Sequence, residues 1–528
     1  MKDKTRDPIR ITKLWRAAAG VNRPSRLQLP GGRRTDYEVK STGANRGFTM
    51  VELMITMVVF VLFMAGATQM FTGLLTQFKQ QSRIAETGLS GVAGLEVMRR
   101  DIEHAGYGLP WDLKGATYRE LTSESGSTPW VDRDFNDGPD TNPMRGNCPN
   151  NACSSQSDEC DPGYANGCSS PPAAFRNGDD EGISDSDGTS IIPNSQADVL
   201  VIKSANVGMS NASQKWTYMA NSGNLPNRLK IWNPDPSDPS VPLDRINDPE
   251  DDDQVIVLDP GKGNTRDLEN SGGHFYESLG DTSNPFTFGQ SGSYAANGFE
   301  PDAHTYTQFV VYGIAPADTH GSHIRMPFNR ADYFVKKPGT NMPARCAPNT
   351  GILYKAVTNN TLNNDGNCPG GGGCMKLYPI LDCVADMQVV YLMDNKDQSG
   401  NPHSDGIADW CPDSATCPGY VACTSTTTHS PTASPTDDIS CLTAAQIRRQ
   451  VKEVRVYIVA QEGQRDAGYD FSQGGSRTSL SATIVKPDDL TKSLNVGTVN
   501  LAGLVGNPEY KYYRWKLYTL VVEPDDMR

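Results

Sequence analysis

The sequence predicts an α+β protein in which one long N-terminal helix packs on an antiparallel β-sheet head with long, disulfide-stapled loops. Two features predict the helix: Leu53–Leu75 is predominantly apolar and uncharged, and no proline occurs between Phe48 and Leu109. The rest of the chain shows short apolar segments separated by Gly, Pro, Asn and Asp, which is the pattern of β-strands joined by turns. We therefore expect one helix followed by a β-rich domain.

Charge is distributed unevenly along the 528 residues. The chain has 48 Lys and Arg against 62 Asp and Glu, a formal net charge of −14. Residues 1–47 contain 12 basic and 4 acidic residues, a net charge of +8, which leaves −22 for residues 48–528. Because so acidic a protein is a poor ligand for phosphate backbones, we expect no nucleic acid among its partners.

The segment Leu53–Leu75 is long enough to cross a membrane. Its 23 residues would extend over about 34 Å as a helix, and the hydrocarbon core of a bilayer is about 30 Å thick. Basic residues precede the segment and acidic residues follow it, which predicts a cytoplasmic N-terminus and a head on the opposite side of the membrane.

One carboxylate, Glu52, lies where this apolar segment begins. A carboxylate that enters hydrocarbon costs a few kcal/mol unless it is paired, so Glu52 needs either a partner or a position at headgroup level. An ordinary secretory signal peptide is the competing interpretation, but its apolar region is shorter and is followed by a small-residue cleavage site. Here the informative residues precede the apolar segment, in the order Arg46-Gly47-Phe48-Thr49-Met50-Val51-Glu52-Leu53.

Residues 46–53 resemble the class III signal of type IV pilins and type II secretion pseudopilins. In that family a basic leader ends in Gly, and Phe-Thr-x-x-Glu precedes an apolar helix. The resemblance implies that a prepilin peptidase cleaves after Gly47 and N-methylates Phe48. It also implies that Glu52 neutralises the N-terminal amine of a neighbouring subunit during assembly. Such a role is physically reasonable, because charges removed from water persist where they are paired.

Residues 48–78 are thus the predicted transmembrane and assembly helix, and residues 79–108 its amphipathic continuation. Beyond the span, apolar residues recur close to helical spacing, at Ile84, Leu89, Val92, Leu95, Met98 and Ile102. Three glycines are expected to weaken the helix, each by about 1 kcal/mol relative to Ala: Gly88, Gly91 and Gly94. The Gly-Tyr-Gly-Leu-Pro sequence of residues 106–110 predicts the end of the helix.

The end of this helix resembles one branch of the pilin family. Residues Leu95–Gly108, which include Asp101-Ile102 and Ala105-Gly106-Tyr107, are similar to a segment of PilW-like minor pilins. Four later segments resemble strands of the same family, namely 197–204, 381–391, 451–460 and 510–522. The pseudopilin in the equivalent position of type II secretion shares the early motifs. The chain is also larger than this family usually requires.

Residues 109–528 are predicted to form an extracytoplasmic β-rich globular head with loop insertions. Apolar patterns predict strands at 198–204, 254–258, 306–314, 376–381, 387–393, 453–460 and 513–522. A short helix is predicted at Ala444–Arg449. Polar, turn-rich stretches are expected to be loops that decorate one sheet rather than separate cores: residues 133–190, 232–253, 260–300 and 411–440.

All twelve cysteines follow the predicted span, in three groups of four: Cys148, Cys153, Cys160 and Cys168; Cys346, Cys368, Cys374 and Cys383; Cys411, Cys417, Cys423 and Cys441. In the first group only the gap between Cys148 and Cys153 has zinc-site spacing, and no covalent haem motif occurs. An even count outside the cytoplasm favours disulfides, each contributing about 2–4 kcal/mol. Their connectivity cannot be assigned from the sequence.

Acidic loops make calcium the cofactor that the sequence suggests. Residues 394–409 offer carboxylates at short intervals around glycines, at Asp394, Asp397, Asp405 and Asp409. Hard cations take six to eight oxygens from such loops, although EF-hand spacing is absent. Weaker candidates are the clusters Asp179–Glu181 with Asp185 and Asp187, and Asp251–Asp253, and the metal pair His320 and His323. Because no nucleotide-binding or hydrolase motif occurs, we expect no enzymatic activity.

These features predict a non-catalytic minor pilin of a type IV pilus that primes assembly or caps the pilus tip. The resemblance implies a bacterial inner-membrane precursor with its head in the periplasm, which later joins a pilus on the cell surface. Its partners would be prepilin peptidase, other minor pilins, the major pilin and the inner-membrane assembly platform. Two alternatives are a type II secretion minor pseudopilin, and a pilus-displayed adhesin or ligand-binding module.

Residues 1–47 are predicted to be a leader peptide that is removed. A leader of this length is unusual for the family, so we expect a translation start near Val39 and a short leader Lys40–Gly47, with a genuine long leader as the alternative. N-terminal sequencing of the uncleaved precursor distinguishes the two. A peptide that contains Trp15 would contradict the short leader.

Overall fold

The computed structural model describes residues 48–116, 118, 170–178, 197–220, 228–229, 236–237, 253–260, 266–270, 276–278, 308–316, 326–337, 342–358, 360, 375–394, 439, 442–486 and 489–527. The chain divides into two compact units, Met1–Gly73 and Leu74–Arg528. Gly47 and ten of the twelve cysteines lie outside the described residues.

Helix α1 (Met50–Glu103) runs through 54 residues, as the absence of proline predicts. Its part Met50–Ala85 is long and apolar enough to cross a membrane, and an 18-residue window within it has a mean hydropathy of 2.3 and no buried residue. The N-terminal apolar helix is therefore confirmed. In the second unit the chain continues from α1 into a region rich in antiparallel strands, which confirms the α+β layout.

The described strands are, in chain order, β1 (Phe175–Gly178), β2 (Val199–Lys203), β3 (Trp216–Ala220), β4 (Arg228–Leu229), β5 (Gln254–Asp259), β6 (Asp267–Leu268), β7 (Tyr276–Ser278), β8 (Gln308–Ala315), β9 (Arg330–Lys336), β10 (Gly351–Thr358), β11 (Met375–Met393), β12 (Val451–Glu462), β13 (Ser479–Lys486), β14 (Asp489–Asn500) and β15 (Arg514–Val522). Two short helices accompany them, α2 (Ala444–Gln450) and α3 (Leu501–Val505). Helix α2 was predicted, and it begins with a capping box between Thr443 and Gln446.

The strands form more than the single sheet that the sequence predicts. The main sheet has seven antiparallel strands in the order β1-β2-β9-β10-β11-β12-β15. A second sheet has the order β4-β3-β8-β5-β6, with β7 paired to β5, and β13 and β14 form a hairpin. The expectation of one sheet was wrong because the apolar strands β3, β5 and β8 pair with one another. Strands β1, β6 and β7 also lie inside stretches expected to be loops.

One hydrophobic core nevertheless joins α1 to both of the larger sheets. Helix residues Leu95, Met98 and Ile102 are at most 4% exposed and belong to the same cluster as Ile458 of the main sheet and Ile256 of the second. Of the apolar residues predicted to recur at helical spacing, Leu95, Met98 and Ile102 are buried, whereas Val92 is 60% exposed. Burying each of the three side chains contributes about 1.5–3 kcal/mol.

Two of the three glycines in this part of α1 allow the helix to approach β11 closely. A Cβ added at Gly94 would overlap the carbonyl oxygen of Ile380, and one at Gly91 would lie 3.0 Å from the Leu381 side chain. At Gly88 the same atom would meet nothing within 4 Å. The expectation that all three simply weaken the helix was incomplete, because two of them face the sheet at short range.

Gly94→Ala should destabilise the head, because the added methyl group must displace the Ile380 backbone, at a cost of about 1–3 kcal/mol. Gly88→Ala is the matched control and should stabilise by up to about 1 kcal/mol, since Ala is the better helix former. The measurement is the urea midpoint of the detergent-solubilised chain, followed by tryptophan fluorescence. Equal midpoints for the two variants would show that α1 does not approach β11 in this way.

Candidate assembly site and its support

The N-terminus of α1 is closed by a reciprocal pair of hydrogen bonds between Thr49 and Glu52. The Thr49 hydroxyl accepts from the Glu52 backbone N–H at 3.3 Å. The Glu52 Oε2 atom accepts from the Thr49 backbone N–H and from its hydroxyl, each at 3.2 Å. This arrangement is a capping box, which satisfies N–H groups that a helix N-terminus leaves unpaired.

The capping box gives Glu52 a structural task that the sequence interpretation missed. A carboxylate in the first turn also interacts favourably with the positive end of the helix dipole. The signal was present in the sequence, since Thr-x-x-Glu before an apolar run is the pattern of a capping box. Glu52 therefore serves its own helix, whatever else it binds.

The apolar side chains that follow Glu52 are exposed on every side of the helix. In the first unit they range from 48% exposed at Met64 to 75% at Met70. An apolar helix surface of this extent requires lipid or the helices of other subunits to cover it. Phe48, the residue expected to become the mature N-terminus, is 81% exposed and therefore accessible.

Near its C-terminal end, α1 is joined to the main sheet by a largely buried carboxylate, that of Asp101. Lys355 of β10 places Nζ 2.5 Å from Asp101 Oδ2, and the Tyr333 hydroxyl of β9 donates to the same oxygen at 2.7 Å. The side chain of Lys355 is 3% exposed and that of Asp101 is 12% exposed. Asp101 belongs to the segment that resembles PilW-like pilins, but its partners lie more than 200 residues away in the sequence.

Burial and charge act in opposite directions on this cluster. Burial raises the pKa of the Asp101 carboxyl, while Lys355 and the hydrogen bond from Tyr333 oppose that shift. Burial, together with the neighbouring Asp101, raises the pKa of the Tyr333 hydroxyl well above its usual value. Tyr333 therefore remains a hydrogen-bond donor at neutral pH.

The helix ends where two glycines turn the chain toward the sheet. Gly106 and Gly108 have φ of +86° and +70°, values that glycine adopts without steric cost. The Gly106 N–H donates to the Lys203 carbonyl at 3.0 Å, and a Cβ at Gly108 would lie 2.6 Å from that of Ala205. The predicted helix end is therefore confirmed, and it is fixed against β2.

The C-terminal segment of the chain covers this helix end. The Asp525 N–H donates to the Glu103 carbonyl at 2.9 Å. Asp526 Oδ2 lies 2.8 Å from Nδ1 of His104, and Met527 is 2% exposed. These contacts satisfy a carbonyl that would otherwise lack a helical partner.

One disulfide, Cys346–Cys383, lies within the described residues, with 4.9 Å between the two Cα atoms. It joins the segment before β10 to the middle of β11. Cys383 has φ of +58°, and the pairing of β11 shifts register on both sides of it. The segments 376–381 and 387–393, expected as two strands, thus form one bent strand. Stapling of the longer loops stays a prediction.

The calcium candidates are described only in part. Asp394 is buried, and its Oδ2 lies 3.3 Å from Nζ of Lys452. Asp253 is likewise 3.5 Å from Nζ of Lys215. The remaining candidates lie outside the described residues: Asp397, Asp405, Asp409, Asp179, Asp180, Glu181, Asp185, Asp187, Asp251, Asp252, His320 and His323. Among the described residues, no group of three or more His, Cys, Asp or Glu could hold a metal ion.

A family model, the prokaryotic N-terminal methylation motif, matches residues 43–68. This range covers the end of the leader, the capping box and the first part of the apolar segment. The match supports a type IV pilin-like or pseudopilin protein, which implies a substrate of prepilin peptidase and a member of a pilus-type assembly. No curated protein and no solved structure matches the chain.

Asp101→Asn should destabilise the head by about 3–5 kcal/mol, because it leaves Lys355 buried without a counter-charge. The double variant Asp101→Leu with Lys355→Met should recover part of the loss, since no charge then remains buried but the Tyr333 hydroxyl loses its acceptor. Both are measured as urea midpoints of the detergent-solubilised chain.

The control for this prediction is Glu96→Gln, which removes an exposed partner of Arg99 at 2.7 Å and should leave the midpoint unchanged. A midpoint of Asp101→Asn equal to that of the control would show that the buried pair does not hold α1 to the sheet.

Proposed function

We propose that this protein is a minor pilin of a type IV pilus, a non-catalytic subunit that primes assembly or caps the pilus tip. The observation that carries the proposal is the capped start of an exposed apolar helix inside the N-terminal methylation motif. Prepilin peptidase would cleave between Gly47 and Phe48 and methylate the new amine. The precursor would lie in the bacterial inner membrane with its head in the periplasm, and afterwards in a pilus on the cell surface.

Glu52 would form an ion pair with the N-terminal amine of the neighbouring subunit and would keep its capping hydrogen bonds. Both intrachain bonds go to Oε2, and Oε1 accepts no hydrogen bond from the described residues. The methylated amine of a neighbour's Phe48 could therefore bind Oε1. In a membrane this pairing would offset the cost of a lone carboxylate, which amounts to a few kcal/mol.

The exposed apolar surface of α1 supports the same role. After extraction from lipid, the side chains between Leu53 and Phe78 would pack against the helices of adjacent subunits. A fibre built in this way needs no catalytic group. It needs complementary apolar helices and a paired carboxylate at the N-terminus of each helix. The PilW-like segment, with Asp101 holding the helix to the head, favours a minor pilin over a major one.

Two other functions remain as proposals of lower rank. A minor pseudopilin of type II secretion would share the motif, the capping box and the span, and would differ in its partners. A pilus-displayed adhesin or ligand-binding module would use the large head, and residues 394–409 would hold calcium as a structural ion. The net charge of −22 after residue 47 disfavours DNA as a ligand.

Glu52→Gln should separate the two tasks of this carboxylate. The amide oxygen still accepts the Thr49 N–H, so the helix start is retained, but the charge that would pair with the neighbour's amine is lost. We expect normal cleavage and a loss of incorporation into pili of at least about tenfold, since losing an ion pair in lipid costs more than about 1.4 kcal/mol. Pilus fractions are compared by immunoblotting.

The control is Thr49→Val, which removes the hydroxyl of the capping box while Glu52 stays charged. It should weaken the helix start by about 1 kcal/mol and leave incorporation largely intact. Normal incorporation of Glu52→Gln would refute the pairing mechanism.

Deletion of the gene should abolish or sharply reduce surface pili, because assembly is not primed. Pili are counted by electron microscopy, in parallel with assays of exoprotein secretion and of adhesion. Lost secretion with normal pili would favour the pseudopilin instead. Normal pili with lost adhesion would favour the adhesin.

A further inference from the structure

Four cations are stacked on aromatic rings at one end of the main sheet. Arg465 lies 4.4 Å from the ring centroid of Tyr512, and Arg514 lies 4.2 Å from that of Tyr469. The other two pairs are Arg477 over Phe471, at 4.5 Å, and Lys516 over Tyr518, at 4.6 Å. All belong to residues 462–478 and 509–518, which we call the stacked-cation surface.

This surface lies beside the part of α1 that leads to the apolar segment. The Arg83 guanidinium donates to the side-chain oxygen of Gln464. A Cβ at Gly463 would lie 2.9 Å from the Ile84 side chain. At the other end of the packed helix, the N–H of Asp525, which follows β15, donates to the Glu103 carbonyl. The stacked-cation surface is therefore at the Arg83 end of the packed helix.

Within the second unit, the contact at Arg83 follows soon after Phe78 along α1. Phe78 is the last residue of the uncharged stretch and is 68% exposed. Five residues separate it from Arg83, or about 7.5 Å along a helix. The headgroup layer of a bilayer adds about 5–8 Å beyond each side of the hydrocarbon core. With Phe78 at the edge of the hydrocarbon, the contact at Arg83 lies at the height of the headgroups.

The surface is also cationic in a strongly acidic chain. Its five cations face four carboxylates, and Lys79, Arg83 and Glu86 of the adjoining helix bring the local net charge to +2, whereas residues 48–528 carry −22. Three of the carboxylates are bound in the ion pairs Arg465–Glu509, Arg514–Asp466 and Lys516–Glu462, at 2.7–2.9 Å. Arg477 and Lys511 form no ion pair within 4 Å among the described residues, and Arg477 is exposed on the segment Gln473–Thr478. Hydrogen bonds from Ser472 and, to a smaller extent, the charge of Lys511 lower the pKa of the Asp470 carboxyl, so Lys511 has a carboxylate nearby.

We propose that the stacked-cation surface rests on anionic phospholipid headgroups of the leaflet from which α1 emerges, before the subunit leaves the membrane. Guanidinium groups bind phosphate oxygens in a bidentate manner. Tyrosine rings prefer the membrane interface, and each Lys or Arg near an anionic leaflet adds about fivefold to the affinity. The head would thus be held in one orientation at the bilayer while it waits for assembly. This inference rests on the membrane span of the proposed function.

The test is hydrogen–deuterium exchange of the full chain in nanodiscs of phosphatidylcholine, with and without phosphatidylglycerol. Amides of Gln473–Thr478 should exchange at least about fivefold more slowly in the anionic nanodiscs. The double variant Arg477→Glu with Lys511→Glu should remove this protection without breaking an ion pair of the described residues.

The control is Lys376→Glu, which removes an exposed cation stacked over Tyr378 at 5.3 Å. It is compared with the single variant Arg477→Glu, because the two then change the charge equally and each removes one stacked cation. Lys376 of β11 pairs with Val357 of β10, Val357 with Ala331 of β9, and Ala331 with Ile202 of β2. The next residue of β2, Lys203, accepts the hydrogen bond from Gly106 at the end of the helix. Lys376 therefore lies near the opposite end of the packed helix, and its variant should keep the protection.

Equal exchange of the Gln473–Thr478 amides in the two kinds of nanodisc would overturn the proposal. This is also the result expected if the surface binds another subunit instead of lipid. An equal loss of protection in the Lys376→Glu control would overturn the proposal as well. Amides of Leu53–Leu75 report the membrane span separately. Rapid exchange there would contradict the proposed function itself, whereas slow exchange there with an unprotected surface would contradict this inference alone.

Discussion

The packing of α1 on the main sheet is the constraint on which the attachment of the head depends, and the largely buried ion pair between Asp101 and Lys355 lies within that contact. Removing two charges from water is costly, and the geometry must repay it with a close pair and further hydrogen bonds. The hydrogen bond from Tyr333 supplies one of these, so that α1, β9 and β10 meet at a single carboxylate. The close approach at Gly94 and the hydrogen bond of Gly106 to β2 hold the helix against the sheet at two further points.

Helix α1 presents two different surfaces along its length. From Leu53 to Phe78 its apolar side chains face outward, and a capping box between Thr49 and Glu52 secures its start. Farther along, Leu95, Met98 and Ile102 are buried in the core of the head. One continuous element therefore offers an unpartnered apolar face for lipid or other subunits and also carries the head. This is the physical requirement for a subunit that moves from a membrane into a fibre.

The sequence predicted the elements whose polarity follows a simple pattern, namely α1, α2, β2, β5, β8, β12 and β15. Strands β9 and β10 were missed because they bury charged residues: Arg330 with Asp332 at 2.8 Å, and Lys355 with Asp101. Such strands do not alternate between apolar and polar residues. The capping box was local and could have been recognised from Thr-x-x-Glu alone. The Asp101 cluster could not, because it joins residues that only the folded chain brings together.

The central claim is that α1 begins a processed pilin-type subunit and not an ordinary secreted chain. Mass spectrometry of the N-terminal peptide of the mature protein, isolated from membranes of the native host, tests it most directly. The account predicts a chain that starts at Phe48 and carries one methyl group on its α-amine. A mature chain that starts within or after the apolar segment would contradict it, because Glu52 and the apolar face of α1 would then be absent from the assembled protein.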